Sequence, residues 1–106
     1  MRTIQFDNFG EPATVLQLRD IPVPTPKPGE VRVRMLASPV NPSDLLMIRG
    51  TYGKRPALPA SPGFEGVGIV EESGGGLLGK FLVGRRVAAM NPSGGNWSDH
   101  VVIRAK

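Results

Sequence analysis

The segment EVRVRMLASPVNPSDLLMIRG, residues 30–50, contains the two strongest structural signals in the 106-residue chain. Its first part alternates apolar and charged side chains, which predicts a strand with one buried and one solvated face. Its second part, PSDLLMIRG, is the only plausible helix in the sequence. Pro42 or Ser43 can begin this helix, and Gly50 can end it. Ser43 or Asp44 can cap it, so the segment predicts a strand followed by a helix of about two turns. The apolar residues expected to pack this helix are Leu45, Leu46 and Ile48.

Five further segments on either side are predicted as strands: RTIQFDNFG, TVLQLRDI, FEGVGIVEES, RVAAMN and WSDHVVIRA. The connector PVPTPKPGE is too rich in proline for a helix or a central strand, and a turn is expected at Pro28-Gly29. Gly66 and Gly68 permit a close backbone approach or a bulge in the strand that contains them. GGGLLGKFLVGRR is expected to be a turn and linker. The sum is a mainly β domain with one short helix, arranged as a small barrel or sandwich.

The composition restricts the chemistry available to the chain. Cysteine is absent and His100 is the single histidine, which excludes a disulfide framework, thiolate metal sites and a zinc site built on three imidazoles. The net charge of +4 raises the possibility of a nucleic-acid partner, but the bases are scattered and no basic run alternates with aromatics. A solvated basic surface is favoured, and no nucleic-acid partner is predicted. A basic rim would also suit a phosphorylated ligand such as a phosphate-bearing cofactor.

Membrane association is not expected from the sequence. No apolar stretch approaches the length of a membrane span, and the opening MRTIQFDNFG has no apolar h-region. A cytoplasmic protein without a membrane partner is predicted, with residues 1–106 forming one domain.

Gly74, Gly76 and Gly79 spell G-x-G-x-x-G, the spacing of a dinucleotide-binding turn. Such a turn needs a helix that opens at the third glycine, inside a βαβ unit. Here Gly84 follows within five residues, which leaves no room for that helix. The glycines are therefore interpreted as a flexible turn.

The order of ASPVNPSD, GTYG, LPASPGFEGVGIVE, VGRRVA and GGNWSDHVV resembles the medium-chain dehydrogenase/reductase superfamily. More narrowly it resembles the zinc-independent branch, which contains quinone oxidoreductases and 2-enoyl thioester reductases. The resemblance covers nearly the whole chain and implies that residues 1–106 are a GroES-like catalytic domain, a partly open β-barrel. It also implies a Rossmann cofactor domain of roughly 150–200 residues after residue 106. A homodimer is implied for the complete protein.

Two departures from the zinc enzymes of the superfamily imply a metal-free reaction. Those enzymes carry a cysteine where this chain has Asn41 and a histidine where it has Phe64, and the cysteine-rich zinc lobe is missing here. Phe64 is expected to fill the volume that the metal would occupy. Without a Lewis acid, the implied reaction is reduction of an activated C=C bond with NADPH. The cofactor would be bound mainly by a domain that is not in this chain, and no zinc is expected.

The resemblance assigns three site residues. Tyr52 matches the tyrosine that enoyl reductases use as a donor, and a phenol keeps its proton near neutral pH. Asn41 offers an amide that can orient the nicotinamide or the substrate carbonyl. Trp97 matches an aromatic residue that lines the acyl pocket, which favours a 2-enoyl thioester substrate over a quinone. Each residue also has a structural alternative: Tyr52 at a loop edge, Asn41 in a turn and Trp97 in the core.

The expected function is NADPH-dependent reduction of the C=C bond of an α,β-unsaturated carbonyl, with residues 1–106 inactive on their own. Three alternatives stay open: a quinone oxidoreductase, a non-catalytic GroES-like binding module and a basic nucleic-acid-binding β domain. Glu65 is expected to be an interior structural acid, paired with a base such as Arg49. His100 is expected to lie on a strand face.

Overall fold

A computed structural model describes residues 1–105 as a mainly β domain with short helices. All six predicted strand segments are confirmed, and the sheets stay open rather than closing into a barrel. The described elements, in chain order, are β1 (Arg2–Gln5), α1 (Pro12–Val15), β2 (Gln17–Asp20), β3 (Glu30–Ala37), α2 (Pro42–Arg49), β4 (Val67–Ser73), α3 (Leu77–Leu82), β5 (Arg86–Ala88) and β6 (His100–Arg104).

The larger sheet has four antiparallel strands in the order β5-β4-β3-β6. β3 lies inside it, and the predicted alternation is confirmed because Val31 and Val33 are only 1% and 0% exposed. Their side chains meet those of the neighbouring strands on one face. The buried residues of this face are called the sheet cluster: Val31, Val33, Val70, Ala89 and Val101.

Gly68 allows β4 to lie close against β3, as its position in the sequence predicted. A Cβ atom on Gly68 would stand 2.5 Å from the carbonyl oxygen of Arg34, which no side chain tolerates. The β3–β4 register shifts at two points, between Arg32 and Val33 and between Met35 and Ala37. The glycine therefore serves both the close approach and the irregular pairing of the two strands.

The smaller sheet is the antiparallel pair β1–β2, and an isolated bridge between Thr3 and Ser98 joins it to the segment just before β6. The prediction that a strand begins at residues 14–16 is wrong. Pro12 stands at the start of the helical turn α1, where its fixed φ and missing N–H favour a helix, so β2 begins only at Gln17.

α2 begins at Pro42 and ends before Gly50, which has a left-handed φ of 80°, and both boundaries confirm the prediction. Asn41, which was not among the predicted caps, is the N-cap, and Asp44 completes a capping box from the third helical position, whereas Ser43 does not cap the helix. The backbone N–H of Asn41 donates to Asp44 Oδ2 at 2.8 Å, so this N–H group has a hydrogen-bond acceptor at the start of the helix.

The inner face of α2 also differs from the sequence-based expectation. Met47 and Ile48 are buried, whereas Leu46 is 39% exposed although it was expected to pack. Helical spacing places Leu46 on the outer side once Ile48 faces inward.

α3 corrects a second expectation, because residues 77–82 form a helix where a linker was predicted. The third glycine of the G-x-G-x-x-G spacing, Gly79, is buried within that helix. β4 and β5, which flank α3, pair antiparallel, so the segment lacks the parallel βαβ arrangement of a dinucleotide site. Among residues 1–105, no helix is long and apolar enough to cross a membrane.

Candidate functional site

A second group of buried side chains supports two cavities on the surface of the domain. This group comes from the chain after β1, from α2 and from the loop before β4, and Phe64 and Trp97 pack against it. It is called the site cluster: Phe6, Met47, Ile48 and Ala60.

Tyr52 lines the first cavity, of about 410 Å³, called the Tyr52 cavity. The tyrosine is 47% exposed, and its ring centroid lies 5.6 Å from that of Phe64 at an angle of 43°. The aromatic contact fixes the ring while the residue stays accessible, so a molecule in the cavity can meet the phenol. The lining residues are Met47, Tyr52, Gly53, Lys54, Arg55, Pro56, Phe64, Pro92 and Ser93.

The loop that carries Tyr52 is tied to the C-terminal end of α2. The N–H groups of Gly50 and Thr51 donate to the carbonyl oxygens of Met47 and Leu46, both at 3.0 Å. Arg55 Nε donates to the carbonyl oxygen of Gly50, also at 3.0 Å. These bonds satisfy helix-end carbonyls and hold the loop on both sides of Tyr52.

Asn41 does not line the Tyr52 cavity. Its Nδ2 donates to Glu65 Oε2 at 3.3 Å, and Ser38 Oγ donates to the carbonyl oxygen of Glu65 at 2.7 Å. The expectation that Glu65 is an interior acid paired with Arg49 is wrong, because Glu65 is exposed. Arg49 instead lies 3.5 Å from Glu11, the residue just before α1.

Trp97 lines a different cavity, of about 460 Å³, called the Trp97 groove. Its indole also packs against the site cluster, and its Nε1 is buried without a hydrogen-bond acceptor among the described residues. The structure therefore places Tyr52 and Trp97 in separate cavities. The Trp97 groove is lined by Arg2, Thr3, Ile4, Leu18, Met35, Leu36, Ala37, Ser38, Val40, Asn96, Trp97, Ser98 and Asp99.

Charges around the two cavities differ. In the Trp97 groove, Asp99 accepts the backbone N–H of Arg2 at 2.8 Å and lies 3.3 Å from its guanidinium. The pKa of Asp99 is lowered from its ordinary value, mainly by the backbone hydrogen bond from Arg2 and to a smaller extent by the side-chain hydrogen bond from Arg2. Among residues 1–105, the charged side chains that line the Tyr52 cavity are those of Lys54 and Arg55. Both belong to the scattered bases that were interpreted as a solvated surface, although their position directly after Tyr52-Gly53 was a usable signal.

His100 begins β6 and lies on a strand face, as predicted. Its Nδ1 is 2.7 Å from Glu71 Oε2, and Arg32 Nε lies 2.6 Å from the same oxygen. None of these three residues lines the Tyr52 cavity or the Trp97 groove. Among residues 1–105, no group of three or more His, Cys, Asp or Glu side chains is placed to share a metal ion.

Comparison with known proteins gives consistent matches over nearly the whole chain. The family model for the alcohol dehydrogenase GroES-like domain matches residues 27–104. A mitochondrial enoyl-[acyl-carrier-protein] reductase of Xenopus tropicalis is 44% identical over 96 residues, which cover 91% of this chain and 24% of that protein. A quinone oxidoreductase of Rattus norvegicus is 34% identical over 99 residues, which cover 93% of this chain and 30% of that protein.

Among solved structures, the quinone oxidoreductase of Thermus thermophilus, also solved in complex with NADPH, matches with a TM-score of 0.78. It is 33% identical, and the match covers 99% of this chain and 30% of that one. The chain thus spans between a quarter and a third of the lengths of these relatives. It belongs to the alcohol dehydrogenase GroES-like domain family, in the zinc-independent branch of the medium-chain dehydrogenases/reductases.

Proposed function

We propose that this chain is the substrate-binding part of an NADPH-dependent reductase that acts on the C=C bond of an α,β-unsaturated carbonyl, with a 2-enoyl thioester as the favoured substrate. The observation that carries the proposal is the accessible phenol of Tyr52, held against Phe64 in a cavity with an apolar floor. A 44% identical relative named as an enoyl reductase supports the thioester.

In the proposed reaction, NADPH bound by the complete protein would be the source of the hydride for the β-carbon of the substrate. The tasks of this chain are then to bind the enoyl group, to donate a hydrogen bond where charge develops on the carbonyl oxygen, and to hold a proton for the α-carbon. Tyr52 can perform the last two tasks through one hydroxyl group. Met47 and Phe64 offer apolar contacts to the chain of the substrate.

Asn41 has a positioning role in this proposal. Its amide donates to Glu65, the neighbour of Phe64 in sequence, and its backbone caps α2. It therefore connects the two segments that meet at Tyr52 and Phe64. Trp97 would support the acyl chain from the Trp97 groove, or from behind the site cluster.

Residues 1–105 contain no strand–turn–helix unit that fits the pyrophosphate of NADPH, because α3 lies between antiparallel strands. We therefore propose that cofactor binding is mainly the work of a Rossmann domain in the complete protein, and that residues 1–106 alone do not turn over. The homodimer and the cytoplasmic location stay predictions of the same kind.

A quinone is the second candidate substrate. Two of the relatives described above are named quinone oxidoreductases, and an apolar cavity with a phenol donor also suits a flat diketone ring. Parallel assays of the complete protein with crotonyl-CoA and with a benzoquinone, each at matched NADPH, separate the two substrates by their kcat/KM values.

The test of the proposed function is Tyr52→Phe in the complete protein. The variant keeps the ring contact with Phe64 and removes only the hydroxyl group, so the melting temperature should change little. We expect kcat with the enoyl thioester to fall by about a hundredfold or more, the usual contribution of a positioned acid. An unchanged kcat would contradict the role of Tyr52 and would leave a binding module as the better description.

A further inference from the structure

Two positively charged side chains line the Tyr52 cavity, those of Lys54 and Arg55. Lys54 and Arg55 are both exposed lining residues, and no acidic residue of the described part of the chain, residues 1–105, lines the cavity. Within residues 1–105, neither takes part in an ion pair. The paired groups are the amino terminus, Arg2, Arg19, Arg32, Arg49 and His100.

Arg55 is held in place by contacts that leave most of its guanidinium free. Its Nε donates to the carbonyl oxygen of Gly50, and its Cζ lies 4.9 Å from the centroid of the Phe9 ring. The two Nη groups have no acceptor among the described residues, so a planar pair of donors is already oriented. Lys54, the preceding residue in the chain, adds a point charge on a flexible stem.

The cavity therefore has two chemically different parts. The lining includes the apolar side chains of Met47, Phe64 and Pro92, of which Phe64 contacts Tyr52, and the basic side chains of Lys54 and Arg55. An elongated ligand with an apolar reactive end and an anionic arm uses both parts, whereas a neutral quinone leaves the basic side without a partner.

We propose that Lys54 and Arg55 bind a phosphate ester on the carrier arm of the substrate and so make the Tyr52 cavity select anionic thioesters over neutral acceptors. This inference rests on the proposed function for the thioester, and it deepens that function by naming the specificity-determining residues. Coenzyme A and the phosphopantetheine of a carrier protein share this phosphate chemistry. The test below uses one ligand with each of these two phosphate sources, so that the two can be distinguished.

The test measures binding by calorimetry or NMR titration of the 106-residue chain, since binding needs no turnover. Three ligands are compared: crotonyl-CoA, crotonyl-phosphopantetheine on a carrier protein, and the neutral crotonyl-N-acetylcysteamine. The variants are Lys54→Gln, Arg55→Lys and the double variant Lys54→Gln/Arg55→Gln. Lys80→Gln on α3 is the matched control, because it removes an exposed positive charge outside the cavity lining.

For the double variant we expect the Kd of at least one phosphate-bearing ligand to rise about tenfold at low salt, while the Kd of the neutral thioester changes less than about twofold. Lys54→Gln alone should raise the Kd of the phosphate-bearing ligand about threefold. Arg55→Lys should raise this Kd by less than the double variant does. The difference in Kd between the double variant and the unsubstituted chain should vanish at about 0.5 M salt, because the ion contacts are exposed to solvent and are screened. The ligand with the larger loss identifies the source of the phosphate.

Three results would overturn the inference. The first is an equal loss for charged and neutral thioesters, which would indicate a general loosening of the loop. The second is an equal effect of Lys80→Gln, which would indicate nonspecific attraction. The third is no detectable preference of the unsubstituted chain for phosphate-bearing ligands. If one of these results occurs while Tyr52→Phe still lowers turnover, the proposed phosphate site is wrong but the proposed function is still supported.

Discussion

The sheet cluster and the site cluster are built in different ways from similar amounts of apolar side chain. Four of the five sheet-cluster residues are valines on neighbouring strands, and Ala89 follows β5 directly. The site cluster instead joins an aromatic residue, Phe6, to two adjacent helix residues and to Ala60 in a loop. No sheet-cluster residue lines either cavity, whereas Met47 of the site cluster lines the Tyr52 cavity.

This difference indicates how the domain divides stability from function. β-branched residues pack well on a pleated surface, so the sheet cluster makes a stiff platform. The site cluster is assembled from loops and one short helix, which are the places where chemistry-bearing side chains can be presented. Changes in the first cluster should alter stability alone, and changes in the second should alter stability and binding together.

The largest effect is expected for Ile48→Ala, in the site cluster. Ile48 is fully buried on α2, and its truncation leaves a cavity that costs about 3 kcal/mol of unfolding free energy. Because α2 holds the loop that carries Tyr52, the Kd of crotonyl-CoA should also rise severalfold. Urea unfolding and ligand titration measure the two effects. A loss of stability with unchanged affinity would show that the loop does not depend on the helix.

A smaller effect is expected for Val33→Ala, in the sheet cluster. Val33 is also fully buried, but fewer methyl groups are removed, so the loss is about 2 kcal/mol. The Kd of crotonyl-CoA should stay within about twofold of the unsubstituted value, measured below the onset of unfolding. If Val33→Ala weakened binding as strongly as Ile48→Ala, the proposed division between the two clusters would be wrong.

The same division explains which parts of the fold could be predicted. β3 was predicted because its alternation repeats every two residues against a single buried face. α3 was missed because glycines surround its six residues and only tertiary contact can stabilise so short a helix. Leu46 was misplaced since two turns of helix do not fix which apolar residue faces inward.

The site was predictable in its residue types but not in its grouping. Tyr52 lies beside Phe64 only because α2 and the loop before β4 meet on the site cluster. The hydrogen bond from Asn41 to Glu65 spans 24 residues, and no local pattern encodes it. Trp97 belongs to another cavity for the same reason, since its position depends on the packing of β1 and β6.

The smallest effect concerns the contact between the two sheets, where Asp99, the residue just before β6, is hydrogen-bonded to Arg2 of β1 and to Met35 of β3. Its N–H donates to the carbonyl oxygen of Arg2, its carboxylate accepts the N–H of Arg2, and its carbonyl oxygen accepts the N–H of Met35. The backbone and side-chain hydrogen bonds from Arg2 lower the pKa of Asp99 in the folded state. A lowered folded pKa adds stability above the unfolded pKa and loses it as the pH falls through the folded value.

The urea midpoint should therefore fall on acidification below about pH 4, and Asp99→Asn should make this fall shallower. Some dependence should remain, because the side-chain hydrogen bond from Arg19 lowers the pKa of Asp7 in the same direction. The matched control is Asp20→Asn, an exposed acid on β2 that pairs with the amino terminus. If Asp20→Asn made the loss of stability at acid pH as shallow as Asp99→Asn does, general charge rather than the Asp99 contact between the two sheets would account for the pH dependence.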